Sequence, residues 1–126
     1  MLLALLAACD TQPTPEAAPL PLQEAHRTVL ACAGWLAYVE LHVQSLSYVD
    51  SNTFAAQEQN VAGSASCQTG QITVATGERN AFKIARILVH EAAHLADGCQ
   101  NGEQPAVRAE IGFQEDFASQ NCPIPF

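Results

Sequence analysis

The chain has 126 residues, which is enough for one small domain built around one hydrophobic core. Apolar residues make up 48% of it and charged residues 14%, a composition typical of folded domains and unlike that of disordered chains. The net charge is −8 and the sequence holds no basic run that could follow phosphates, which argues against a nucleic-acid partner.

The chain opens with the apolar segment 1–8, which is followed by Cys9. This segment is far too short to span a bilayer and is typical of the apolar part of a secretion signal. The tetrapeptide LAAC that ends at Cys9 resembles the lipobox of bacterial lipoproteins, in which the chain is cut before the cysteine and the cysteine carries the lipid. The resemblance implies export and a lipid anchor on Cys9, on the periplasmic side of the bacterial envelope or at the cell surface. The absence of Lys or Arg before the apolar run departs from the lipoprotein pattern.

The stretch DTQPTPEAAPLP follows Cys9 and contains four prolines without a periodic apolar pattern. Proline fixes φ and lacks an N–H group, so this composition predicts an extended tether. We therefore divide the chain into a signal segment (1–8), a lipidated cysteine with its tether (9–21) and a folded domain (22–126).

Four further cysteines lie in the folded domain, at Cys32, Cys67, Cys99 and Cys122. An even number of cysteines in an exported chain predicts two disulfides, and all three pairings are open. The spacings contain no CxxC pattern, which argues against a zinc site made of thiolates.

The first element predicted in the domain is one long helix over about residues 22–46. Apolar residues recur there at spacings of three and four and form one stripe. The stripe comprises Leu22, Ala25, Val29, Cys32, Leu36, Val39, Val43 and Leu46. His26 and His42 lie off it, and we expect them to be surface or packing residues.

Short β segments follow over 62–66 and 71–75, joined by a Cys-Gln-Thr-Gly turn. They predict a small antiparallel sheet. Two further helices complete the domain. One begins near Glu78 or Asn80 and ends just before Gly98, and the other starts around Pro105 and extends to about Ser119.

The first of these two helices carries His90, Glu91 and His94 in the pattern HExxH. Residues four apart lie on one face of a helix, so two imidazoles can reach one metal ion. Glu91 is rotated by about 100° from His90, which suits a general base beside a metal-bound water. The rest of the helix is apolar nearly all round, and unpaired imidazoles there would cost free energy that a metal offsets. We predict that His90 and His94 are zinc ligands and that Glu91 is catalytic.

A catalytic zinc site needs a third protein ligand and leaves one position for water. HExxH followed by a Glu on the next helix resembles the gluzincin group of zinc metallopeptidases. The metzincin pattern does not fit, because Asp97 and Gln100 occupy its Gly and His positions. The gluzincin resemblance implies a Zn²⁺ ion held by the two histidines and one glutamate.

The candidates for that third ligand are Glu103, Glu110 and Glu115, and Glu115 is set aside because it shares another helix face with Arg108 and Ser119. We favour Glu110, because an antiparallel return of the last helix brings it level with the histidines and because it lies on an apolar helix face. The alternative is Glu103, since the run from Glu103 to Ala106 resembles the E-x-x-A of some gluzincins.

The resemblance implies a zincin-like α+β domain with a long N-terminal helix, a small β-sheet, an HExxH active-site helix and a C-terminal helix. It also implies hydrolysis of a peptide or protein substrate, with Glu91 moving a proton from the attacking water to the leaving amine. We expect a strand around Ile72–Val74 to pair with the extended substrate, and Asp97 to orient His94.

One part of the gluzincin pattern is missing, because no His, Tyr or Arg follows Glu110 to stabilise an oxyanion. The remaining candidates are Tyr48, His42, Arg86 and Arg108. This gap leaves a second hypothesis, a catalytically inactive zinc- or protein-binding lipoprotein that retains the site. A peptide-deformylase-like hydrolase ranks last, because Cys67 is followed by Gln68 and not by the Leu of that family's Cys-Leu motif.

Overall fold

The computed structural model describes Leu20 and residues 22–50, 62–77 and 79–124. The predicted signal segment, Cys9 and the tether lie outside the described residues, apart from Leu20. Within these ranges the domain is α+β, as predicted, with four helices and a three-stranded sheet. No helix in the described part of the chain is long and apolar enough to cross a membrane.

The prediction of one long N-terminal helix is wrong, because two helices occupy that part of the chain. Helix α1 spans Glu24–Ala33 and helix α2 spans Leu36–His42. Gly34 lies between them with a left-handed φ of 83°, a conformation that glycine adopts without steric cost and that ends a helix. The apolar spacing continues across this break because both helices bury one face in the same core, so the periodicity did not reveal the turn.

The sheet contains three strands: β1 at Ser45–Val49, β2 at Gly63–Ser66 and β3 at Gln71–Ala75. Their order is β1-β3-β2, with β1 parallel to β3 and β2 antiparallel to it. The β2–β3 hairpin confirms the two predicted strands, but the sheet is mixed and not antiparallel. Strand β1 is not predicted from the sequence, because the buried Leu46 continues the apolar spacing of the predicted helix.

Helix α3 spans Ala81–Ala96, in agreement with its predicted limits. The side chain of Asn80 caps its start by accepting a 2.9 Å hydrogen bond from the backbone N–H of Lys83. Gly98 follows its end with a φ of 66°. The helix packs against α1, α2, α4, β2 and β3, so it lies at the centre of the domain.

Helix α4 spans Gln104–Ser119 and has Pro105 in its first turn, as predicted. Phe82, near the start of α3, packs on Phe117, near the end of α4, with 4.6 Å between the ring centroids. At the other end, His94 contacts Glu103, which immediately precedes α4. The two helices are therefore antiparallel, which brings the beginning of α4 beside the histidines.

Two disulfides join distant parts of the chain. Cys32 in α1 is bonded to Cys122, which follows α4. Cys67 in the β2–β3 turn is bonded to Cys99, which follows α3. They confirm the prediction of two disulfides, select one of the three open pairings, and indicate an oxidising environment outside the cytosol.

Candidate metal centre

His90 and His94 lie together on the one polar strip of α3. Their ring centroids are 5.1 Å apart, and their side chains retain 21% and 15% of their accessible surface. Most of the remaining circumference of α3 packs into the core, so the polar strip is the face that reaches solvent. The buried residues of α3 are Ile84, Ala85, Leu88, Val89, Glu91, Ala92 and Ala93. The predicted pairing of two imidazoles on one helix face is confirmed.

Glu103 brings a carboxylate to the Nε2 nitrogens of both histidines. Its Oε1 lies 2.9 Å from Nε2 of His90, and its Oε2 lies 3.2 Å from Nε2 of His94. One ligand atom from each of the three residues lies within 4.8 Å of the others, so the group could hold a metal ion. Two imidazole nitrogens and one carboxylate oxygen are the donor set of many catalytic zinc sites.

The position of Glu103 leaves its side chain free for this role. It occupies the N-cap position of α4, but it makes no side-chain capping hydrogen bond. Its side chain is 71% exposed, and its hydrogen-bond partners in the described part of the chain are the two imidazoles. Burial tends to raise the pKa of Glu103, but the hydrogen bonds and charges of His90 and His94 outweigh it and lower that pKa.

Glu110 also reaches His90, but at the opposite ring nitrogen. Its Oε1 lies 2.6 Å from Nδ1 of His90, and its Oε2 lies 3.4 Å from Nε of Arg86. A carboxylate at Nδ1 favours the tautomer that carries its proton there and leaves the Nε2 lone pair free. The structure thus brings Glu110 level with the histidines, as predicted, while the metal-capable group contains Glu103.

The charges around His90 attract a cation. Burial lowers the pKa of its imidazole, but the hydrogen bonds and negative charges of Glu110, Glu91 and Glu103 outweigh that effect and raise the pKa. The same carboxylates would stabilise a divalent ion at this position. The chemistry of the donor set and the surrounding charge therefore both fit a metal.

Glu91 lies beside this group in a buried position. It is 7% exposed, lines the same cleft, and its carboxylate has no hydrogen-bond partner among the described residues. Burial raises the pKa of this carboxyl, against the opposing effect of His90 and His94. A buried carboxyl group with a raised pKa is suited to accept and release a proton.

An open cleft of about 520 Å³ runs over the site. Strand β2 and residues around it form one wall, and α3 forms the other. Gly63 brings the two walls into close approach, because a Cβ atom there would lie 2.8 Å from Oε2 of Glu91 and 2.6 Å from Cγ2 of Ile87. The role of Gly63 is not predictable from the sequence, since it follows from the packing of β2 on α3.

The expected substrate strand does not have a free edge. Residues Ile72–Val74 belong to β3, which is the central strand and is paired with β1 on one side and β2 on the other. That prediction is wrong. The strand that lines the cleft is β2, which lies at the edge of the sheet formed by the described strands.

Of the four candidate oxyanion donors, Arg86 lines the cleft and the other three do not. Arg86 is also the only Lys or Arg among the described residues that line the cleft. Tyr48 instead packs against His26, and His42 packs against Tyr38. Arg108 is exposed on α4, away from the cleft lining.

Asp97 braces the loop that follows α3. Its Oδ2 accepts hydrogen bonds from the backbone N–H groups of Gln100 and Asn101, at 3.0 and 2.8 Å, and its Oδ1 accepts one from Nδ2 of Asn101. These bonds, led by the side chain of Asn101, lower the pKa of Asp97. Asp97, which we expected to orient His94, thus stabilises the loop that leads to Glu103. An Asp followed by Gly is a turn signal that could have revealed this role.

No family model matches the chain, and comparisons with curated proteins and with solved structures give no match either. The function is therefore inferred from the geometry of the site.

Proposed function

We propose that this protein is a zinc-dependent hydrolase of peptide bonds. The observation that carries the proposal is the convergence of His90, His94 and Glu103 at one point in an open cleft, beside the buried carboxylate of Glu91. A structural metal site is normally closed by four protein ligands, whereas three ligands facing a cleft leave a coordination position for water and substrate.

Each residue of the centre has a separate task in this proposal. The Nε2 atoms of His90 and His94 and the carboxylate of Glu103 would hold the ion. Zinc bound there would lower the pKa of a water molecule and polarise the substrate carbonyl. Glu110 fixes the His90 tautomer by accepting a hydrogen bond from Nδ1. In this proposal Glu103 is the third ligand and Glu110 has a supporting role.

Glu91 is the proton carrier. Its carboxylate accepts a proton from the attacking water and delivers it to the nitrogen of the leaving amine. The buried position supports this role, because desolvation raises its pKa toward the range of an efficient acid and base. Arg86, which lines the cleft, is the group we expect to stabilise negative charge on the substrate oxygen.

The edge of β2 is the place where we expect an extended substrate to bind. Edge strands present unpaired backbone N–H and C=O groups, and a peptide can add to them as a further strand. Residues 62–65 line the cleft along this strand, so a peptide paired with β2 would pass the metal centre. Backbone pairing of this kind favours unfolded or extended protein segments as substrates.

We further propose that the enzyme acts in the bacterial envelope, anchored by a lipid on Cys9. Two disulfides support an oxidising location. The LAAC sequence and the proline-rich tether support the anchor. Mass spectrometry of the protein purified from membranes would test it, since Cys9→Ser should abolish the lipid adduct.

Three variants of the full chain, produced under oxidising conditions, test the hydrolase. We expect His94→Ala to lose stoichiometric zinc, and Glu91→Gln to retain zinc but lose hydrolysis of an unfolded protein such as casein. Glu115→Gln is the matched control, because it makes the same chemical change at an exposed position of α4. Hydrolysis that persists at the wild-type rate in Glu91→Gln would contradict the mechanism.

A second function, zinc or protein binding without hydrolysis, is favoured by one observation. Arg86 is the only Lys or Arg among the described cleft residues, and it already contacts Glu110. If this contact is maintained, the described cleft residues offer no further Lys or Arg to the substrate oxygen. A wild-type protein that binds zinc stoichiometrically yet cleaves none of a broad set of extended peptides would establish this second function.

A further inference from the structure

The loop between His94 and Glu103 determines where the third metal-capable side chain lies. Glu103 is 71% exposed, so little packing holds it in place. Its distance from the imidazoles therefore depends on the backbone that precedes it. That backbone turns sharply, with left-handed φ values at three residues: Gly98 (66°), Cys99 (57°) and Gly102 (65°).

The left-handed conformation of Cys99 needs external support. A non-glycine residue loses free energy in this region because its Cβ approaches the neighbouring backbone. Two features hold it: the backbone N–H of Cys99 donates a 2.9 Å hydrogen bond to the carbonyl of His94, and its sulfur is bonded to Cys67. The sulfur of Cys67 lies 3.5 Å from the same carbonyl oxygen of His94.

The disulfide therefore connects the loop to the sheet at the metal site. Cys67 belongs to the turn between β2 and β3, and β2 forms one wall of the cleft. Cys99 itself lines the cleft, between the helix that carries the histidines and the residue that supplies the carboxylate. Reduction would release the loop from the sheet, while the hydrogen bonds of Asp97 and of the helix end would continue to shape it.

We propose that the Cys67–Cys99 disulfide positions Glu103 and so makes metal binding depend on the redox state of this disulfide. The inference rests on the proposed metal centre and adds a form of regulation to it. In the reducing step a dithiol supplies two electrons and two protons. The S–S bond breaks, Cys67 and Cys99 each gain one hydrogen, and the dithiol becomes a disulfide.

The two disulfides differ in their accessibility. Cys67 and Cys99 are both exposed, whereas Cys122 is buried and Cys32 is partly buried. A reductant in solution should therefore reach the Cys67–Cys99 bond first. This difference allows one disulfide to act as a switch while the other maintains the fold.

Paired variants test the inference with zinc affinity as the readout, measured by competition with a chelator of known affinity. We expect Cys67→Ser combined with Cys99→Ser to bind zinc about 10- to 100-fold more weakly than the wild type, as is typical when groups that orient metal ligands are lost. The serines also remove thiols that could bind zinc themselves. The matched control is Cys32→Ser combined with Cys122→Ser, which in its folded form should keep a zinc affinity close to that of the wild type.

A reduction experiment on the wild type covers the case in which a variant does not fold. A phosphine is used as the reductant, because dithiols bind zinc. In this reaction the phosphine takes the oxygen of a water molecule, and the two hydrogens of that water go to the two cysteine sulfurs. We expect zinc release to coincide with the appearance of free thiols at Cys67 and Cys99, located by alkylation and mass spectrometry, while circular dichroism remains native.

The possible results separate this inference from the proposed function. Unchanged zinc affinity in the folded Cys67/Cys99 variant, equal losses in both paired variants when both are folded, or zinc retained after reduction of Cys67 and Cys99 would overturn the inference alone. A fully oxidised wild-type protein that binds no zinc would overturn the proposed function, and this inference with it.

Discussion

Glu110 contacts His90 through Nδ1, the ring nitrogen opposite the one that faces Glu103. The two carboxylates therefore cannot have the same role toward a metal held at Nε2. Glu103 is in position to coordinate, and Glu110 is in position to fix the tautomer and the ring orientation. Glu110 lies in α4 and Glu103 directly precedes this helix. Because α4 runs antiparallel to α3, both carboxylates reach His90.

This arrangement predicts unequal effects of two isosteric changes on zinc affinity. Glu103→Gln removes a ligand charge and should weaken zinc binding by more than about 100-fold, whereas Glu110→Gln should weaken it by about 10- to 100-fold. Competition with a chelator measures both, and Glu115→Gln provides the baseline. A larger loss in Glu110→Gln than in Glu103→Gln would favour Glu110 as the ligand.

The fold was predictable where local chemistry decides it. The limits of α3 follow from Asn80 and Gly98, and the start of α4 follows from Pro105, because capping and turn preferences act over a few residues. The division of 22–46 into two helices and a strand was not predictable by periodicity. Two helices and a strand that bury residues in one core can continue a common apolar spacing.

The site, like the fold, was predictable only where residues close together in the sequence determine it. HExxH fixes His90, Glu91 and His94 relative to one another because one helix carries them all. The choice between Glu103 and Glu110 depends on the length and shape of the loop after α3, and on which imidazole nitrogen each carboxylate reaches. Those are tertiary features, and helix-face arguments do not contain them.

Gly63 provides a second test, because it leaves room for Glu91 on the opposite wall of the cleft. In Gly63→Ala the new Cβ would lie too close to Oε2 of Glu91 and to Cγ2 of Ile87, so these side chains must shift. We expect peptide hydrolysis to fall on the order of tenfold or more, since small displacements of a catalytic group are costly. Zinc affinity should remain close to the wild-type value.

Ser66→Ala is the control for Gly63→Ala, because it lies on the same strand outside the cleft lining. Kinetic assays and zinc titrations of both variants check the prediction. An unchanged hydrolysis rate in Gly63→Ala would show that Glu91 does not need its present position, and a parallel loss of zinc would indicate general damage to the centre.

His26 predicts a pH dependence of stability that is independent of the metal centre. It is 3% exposed, its Nδ1 lies 3.4 Å from the hydroxyl of Tyr48, and burial lowers its pKa below 6.5. Between the lowered folded pKa and the unfolded pKa, the unfolded chain binds more protons, so stability rises with pH. The stabilisation is complete above about pH 6.5 and is lost as the pH falls through the folded pKa.

The measurement is urea unfolding of the wild type and of His26→Gln at pH 7.5 and pH 5.5, with the metal removed from both. We expect the wild type to lose more free energy of unfolding on acidification than the variant does. Contributions from His90, whose raised pKa acts in the opposite direction, are common to both proteins and cancel in the comparison. Identical losses in the two proteins would contradict the prediction.

The two disulfides should stabilise the fold to different extents. Cys32–Cys122 closes a loop with a sequence separation of 90, and Cys67–Cys99 closes one with a separation of 32. In the chain-entropy model, removing the first should cost about 4 to 5 kcal/mol and removing the second about 1 kcal/mol less. Urea unfolding of the metal-free paired serine variants measures both costs. A greater loss in the Cys67/Cys99 variant would show that native-state contacts of that bond, and not unfolded-chain entropy, determine its contribution.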